Sequence, residues 1–208
     1  MFLIPACLKE TDIIYANETL KLCAQRHISN KKIYYAPFIE EFNVCSEFSQ
    51  FIGFKEHFLI HNCFEWANRE RYYKYLDASR KLLMLHCDNI NRIDYVKFFS
   101  NRYLNMYIQV AQLGCFQNSV AASLLVLDEL SQLSNVYFDS SAVYNGDVLA
   151  HALKIAPDKI LFGTDVPYIG SNKFTEKYKS VIEICNISED KPRRLFSENA
   201  FELINKII

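Results

Sequence analysis

Seven short apolar runs punctuate this chain, and longer amphipathic stretches separate them. The runs are FLIPA (2–6), KIYYAPFI (32–39), FIGFKEHF (51–58), KLLMLHC (81–87), MYIQVAQL (106–113), NVYFDSS (135–141) and KILFGTD (159–165). Apolar runs of this length, alternating with helical patterns, read as buried strands of βα units and so as a parallel sheet. The stretches between them have helical spacing. They are NETLKLCAQRH (17–27), with Asn17 a candidate N-cap, NRERYYKYLDASR (68–80), NRIDYVKFFSNRY (91–103), NSVAASLLVLDELSQL (118–133) and GDVLAHALKIA (146–156). In 118–133 the apolar residues at 120, 124, 127 and 130 mark one helix face. KPRRLFSENAFELINKII reads as one or two closing helices.

Two architectures suit such a rhythm. One is the closed TIM-type barrel, with eight strands and typically about 250 residues. The other is an open doubly wound sheet. The chain has only five glycines, and no glycine-rich phosphate loop follows any run. That counts against the nucleotide-binding form of the open sheet. Seven runs in 208 residues, the first beginning at Met1, read as a TIM-type (β/α)8 barrel entered one unit late. On this reading residues 1–208 are a single α/β domain of about seven parallel strands without the first. Such a barrel is open. Its apolar edges, FLIPA and KILFGTD, are expected to recruit a strand from a partner chain or from a second copy in a homo-oligomer.

Composition excludes several functions. Half the residues are hydrophobic, enough for a sizeable core, while the net charge is −1 with Lys and Arg scattered. That leaves no electrostatic case for nucleic acid or an anionic membrane. No run approaches the roughly 18 apolar residues of a membrane span, and the opening MFLIPACLKETD has neither the apolar length nor the basic leader of a signal peptide. The seven cysteines (7, 23, 45, 63, 87, 115, 185) form no C-x-x-C and are odd in number. Reduced, mostly buried thiols in a cytoplasmic protein are expected.

In a parallel barrel the working residues sit at the C-terminal ends of strands. The runs deliver His86, Cys87 and Asp88 at one such end, Gln112 to Gly114 at the next, then Asp139 to Ser141, then Thr164 and Asp165. The run at 51–58 passes through Lys55 and His57. Imidazole with carboxylate suits zinc or a similar divalent ion. Asp165 follows an apolar strand directly, and an ionised carboxylate there is costly unless paired or bound to metal. Each residue also has a plain structural reading. A histidine ending an apolar strand is commonly a hydrogen-bonded core residue, and an aspartate after a strand commonly forms a turn or cap. Asp139, Ser140 and Ser141 are candidates to line a pocket or simply to satisfy a loop. Cys87 alternates away from His86 and reads as core. His57 and His61 do not form H-E-x-x-H, because Phe58 follows His57. Trp66, Tyr72, Tyr73 and Tyr75 read as core or cover.

NVYFDSSA, then DKILFGTDVP about 20 residues on, then RLFSENA resemble the C-terminal half of the amidohydrolase-related family. Its members are metal-dependent hydrolases and decarboxylases similar to aminocarboxymuconate-semialdehyde decarboxylase. KLLMLHC resembles the family strand that ends in a metal-binding histidine. VAQLG resembles a strand normally written Ala-His-Leu-Gly, and GFKEH one written G-x-K-x-H. The resemblance implies that His86 and Asp165 hold a divalent metal, zinc first. It implies that Asp165 helps activate a bound water. Lys55 and His57, with Ser140 nearby, would line the pocket of a small carboxylate-bearing or cyclic substrate. Two features depart from the pattern. No H-x-H occurs anywhere, and Gln112 stands where the family has histidine. A carboxamide cannot take up and return a proton near neutral pH. The other reading is therefore a catalytically inactive relative or fragment that serves as a binding or interaction module.

Overall fold

A computed structural model describes residues 2–3, 13–26, 34–35, 51–57, 69–86, 92–114, 119–165, 176, 179, 183 and 193–208. Each of the seven apolar runs carries a strand, and all pairings are parallel. Strand β1 (Phe2–Leu3) pairs with β2 (Tyr34–Tyr35). A five-stranded sheet follows in chain order: β3 (Gly53–His57), β4 (Leu82–His86), β5 (Tyr107–Val110), β6 (Val136–Asp139) and β7 (Ile160–Leu161). Helix α1 (Ile13–Arg26) lies between β1 and β2 in the chain. Helices α2 (Arg69–Ala78), α3 (Arg92–Arg102), α4 (Val120–Leu130) and α5 (Gly146–Ile155) separate the strands from β3 to β7. Sequential parallel strands joined through single helices are the repeating unit of a TIM-type barrel. A π-helical turn (Arg194–Glu198) leads into α6 (Asn199–Ile207). No helix among the described residues is long and apolar enough to cross a membrane.

Local chemistry explains several boundaries. Ser119 caps α4 by accepting the Ala122 N–H at 3.3 Å, and Asn145 caps α5 by accepting the Val148 N–H at 3.1 Å. Asn17 does not cap α1. The helix begins at Ile13, and Asn17 is fully buried on the face shared by Ala16, Leu20 and Ala24.

The sheet separates two apolar layers. Phe54, Leu83, Leu85, Ile108, Val110, Val136, Phe138 and Ile160 face the helices, where they meet Leu76, Val96, Leu127 and Leu149 among others. On the opposite, inner face, Leu82, Met84, Tyr137 and Leu161 pack with Leu203 and Ile204 of α6. The outer edge is not bare at Ile160 of β7 or at Phe162 just beyond it. The Ile160 carbonyl accepts from Asn199 Nδ2 at 2.8 Å, and the Phe162 N–H donates to the Leu195 carbonyl at 3.2 Å. There the C-terminal segment occupies two backbone groups of the KILFGTD run.

Candidate active site at the strand ends

Register sorts the motif residues by face. Lys55 and His57 of β3 stand opposite Met84 and His86 of β4, on the inner face. Glu56 lies between them and points to the helices, since strand side chains alternate. It is fully buried and accepts from the hydroxyls of Tyr73 at 2.8 Å and Tyr95 at 3.2 Å, which are themselves 2.7 Å apart. These phenols tie the carboxylate into the helix–sheet seam. Lys55 is 6% exposed. The rings of His57 and His86 stack with centroids 4.0 Å apart and planes 11° from parallel.

After Val110 the chain leaves the strand sooner than expected, where the sequence suggested a run to Leu113. Gln112, Leu113 and Gly114 take φ of 59°, 51° and 67°. For glutamine and leucine the left-handed region costs about 1–3 kcal/mol each unless the surroundings impose it. Gly114 adopts it freely, and a Cβ there would meet Val126 Cγ1 at 2.4 Å. The turn packs on β4 and β6. Asp139, the last residue of β6 and 6% exposed, is bonded to it. Its Oδ1 accepts the Gln112 N–H at 3.1 Å, the Ser141 N–H at 2.9 Å and the Ser141 hydroxyl. Its Oδ2 accepts from Gln109 Nε2 at 2.8 Å.

From this turn Gln112 Nε2 donates to Asp165 Oδ2 at 3.4 Å. Asp165 is also left-handed, with φ 58°. Ser140 is fully buried, and its hydroxyl accepts the Gly163 N–H at 3.4 Å, so it braces β6 against the turn carrying Asp165. Gly163 makes that approach possible. A Cβ there would lie 2.9 Å from Ser141 Cβ and 3.3 Å from Asp139 Oδ1. The structure thus joins Gln112 and Asp165 directly and stacks His57 on His86.

Tyr144 is a rim residue that the sequence does not mark. It is 39% exposed in the segment between β6 and α5. Partial burial, then the negative charges of Asp165 and Glu176, hold its phenol above the usual tyrosine range. A lone loop tyrosine carries no signal of such proximity. His61, Trp66, Cys87, Asp88 and every cysteine except Cys23 lie outside the described residues; Cys23 is partly buried on α1.

His86 and Asp165 have the right donor chemistry for two ligands of a divalent ion. The stacked histidines cannot both bind one ion as they stand. An imidazole ligates in its ring plane at about 2.0–2.1 Å, and two nearly parallel planes offer no shared point at that distance. Among the described residues no group of three or more His, Cys, Asp or Glu side chains converges on a metal position. A complete set therefore needs a donor beyond these two.

No family model matches the sequence, and no curated protein matches it. Solved structures do share its fold. A zinc-bound amidohydrolase from Burkholderia multivorans superposes with a TM-score of 0.72 at 14% identity, over 98% of this chain and 82% of that one. A probable 2-pyrone-4,6-dicarboxylic acid hydrolase from Acinetobacter baumannii, with citric acid bound, gives 0.72 at 13% identity over the same shares, 98% and 82%. A dihydroxybenzoic acid decarboxylase from a Polaromonas species, with manganese and an inhibitor bound, gives 0.60 at 14% identity over 93% and 77%. The fold of this chain is that of the amidohydrolase-type barrel.

Proposed function

We propose that the chain is a metal-dependent hydrolase or decarboxylase of the amidohydrolase type. Its substrate is a small carboxylate-bearing or cyclic molecule, bound where the strands end. The observation that carries this reading is the rim itself, in which Gln112 orients the Asp165 carboxylate beside the turn that packs on β4, the strand ending in His86. Structures of the same fold with zinc, manganese and citric acid bound support the class of cofactor and ligand. His86 and Asp165 would hold the ion, zinc first. When bound, the ion supplies Lewis acidity that draws the pKa of water toward about 7. Lys55 and His57 offer cationic and donor groups to a substrate carboxylate on the inner face. Asp165 is the group able to hold a proton at its carboxylate, while Gln112 keeps that carboxylate turned by donating to Oδ2.

Elemental analysis of the purified protein tests the reading. Near-stoichiometric zinc, manganese or iron is expected, with most of it lost in His86→Ala. Protein that stays metal-free, does not take up the ions on titration and is unchanged by His86→Ala would end it. A second reading, ligand binding without turnover, is favoured by Gln112, whose carboxamide cannot relay a proton. If Gln112 is what limits the chemistry, Gln112→His should raise turnover by up to about 10²–10⁴-fold. No gain would remove that explanation.

A further inference from the structure

We propose that Asp139 is a positioning residue: its carboxylate holds the left-handed turn at 112–114 and thereby sets where the Gln112 carboxamide meets Asp165. The inference deepens the proposed active site and rests on that reading for its functional meaning, but its test does not need activity. Three observations carry it. Every described partner of Asp139 is a donor. The donors come from β5 through Gln109, from the turn through the Gln112 N–H, and from the residue after Ser140 through both polar groups of Ser141. Three of these donors share Oδ1, so the N–H of Gln112 depends on the same oxygen as both donors of Ser141. Next, two non-glycine residues in succession adopt positive φ at this turn, a conformation that persists where the surroundings over-determine it. The Asp139 bond to the Gln112 N–H is the contact placed to do so. Last, the turn bearing Asp165 passes close to the same carboxylate, since a Cβ on Gly163 would lie 3.3 Å from Asp139 Oδ1. Asp139 is therefore bonded to the arm that carries Gln112 and lies near the one that carries Asp165.

Nuclear magnetic resonance on isotopically labelled, metal-free protein tests this. In the wild type, a scalar coupling across the hydrogen bond is expected between the Gln112 backbone nitrogen and the Asp139 carboxyl carbon. Its absence overturns the proposal, and this arm needs no variant to fold. In Asp139→Ala, hydrogen-exchange protection of the Gln112 amide, taken relative to the Ile108 amide on the preceding strand, is expected to fall about tenfold or more. The Gln112 side-chain amide resonances are expected to move to where they stand in Asp165→Ala. If Asp139→Ala lowers the melting temperature but leaves those resonances at their wild-type positions, Asp139 is structural only and the proposal fails. Failure of the enzyme reading is separate. It would appear as absent metal and turnover with the coupling and resonance shifts intact.

Discussion

Gly163 shows how little space the rim leaves. Its neighbours are committed, with Ser140 Oγ accepting the Gly163 N–H and Asp139 Oδ1 accepting the Ser141 N–H. An added methyl would stand 2.9 Å from Ser141 Cβ, closer than carbon atoms pack. Gly163→Ala is therefore expected to lose about 1–3 kcal/mol in urea unfolding. A variant as stable as the wild type would show that the rim relaxes around the methyl. At this scale His86 and Asp165 stood out in the sequence as candidates, because an imidazole or a carboxylate at the end of an apolar strand is a local anomaly. The conformation of Gln112 was not. Nothing in Ala111-Gln112-Leu113-Gly114 demands two left-handed non-glycine residues, and the acceptor bonded to the turn lies 27 positions away at Asp139. Glu56 was hidden for a related reason. It stands between Lys55 and His57 in the sequence, yet the pleat sends it to the opposite face, to Tyr73 and Tyr95.

The elements were legible in kind and less so in extent. Period-two and helical spacing reflect burial of one face, so strand and helix types follow from local pattern. Their ends depend on partners. β5 stops at Val110, where the turn begins, and α1 starts before Asn17 because its buried face extends to Ala16. Two strands are preceded by a lysine that reaches across to another segment. Lys81 precedes β4 and donates to the Phe51 carbonyl; Lys159 precedes β7 and donates to the Ser131 and Leu133 carbonyls at 2.7 and 2.8 Å. Burial, and then the nearby charge of Lys206, lowers the Lys159 pKa below the ordinary 10.5. A folded-state pKa depressed in this way contributes stability that is present above the unfolded value and is lost as pH falls through the folded one. Wild-type stability measured against Lys159→Met should therefore rise as pH climbs from the depressed value toward 10.5. A difference that stays flat across that window would remove burial as the cause of the shift.

At the scale of the molecule, α6 joins the two ends of the described chain's sheet chemistry. Its buried residues Leu203 and Ile204 complete the inner apolar layer, and Asn199 bonds the carbonyls of Pro157 and Ile160 at 2.7 and 2.8 Å. Leu203→Ala should thus cost about 2–5 kcal/mol, although it lies far along the sequence from every strand it supports. Phe201→Ala, on the exposed side of the same helix at 56% exposure, should stay within about 0.5 kcal/mol. Equal losses in equilibrium unfolding would contradict the assignment of faces. By itself the sequence determined that apolar runs alternate with helices and which residues within each strand share a face, both from local pattern, and that the strands are parallel, from the order of runs and helices along the chain. Only the tertiary structure decided which strand positions stand opposite one another. The His57–His86 stack, the bond from Gln112 to Asp165 across 53 positions and the seating of α6 on the inner face all depend on register between distant segments, and no local pattern encodes it.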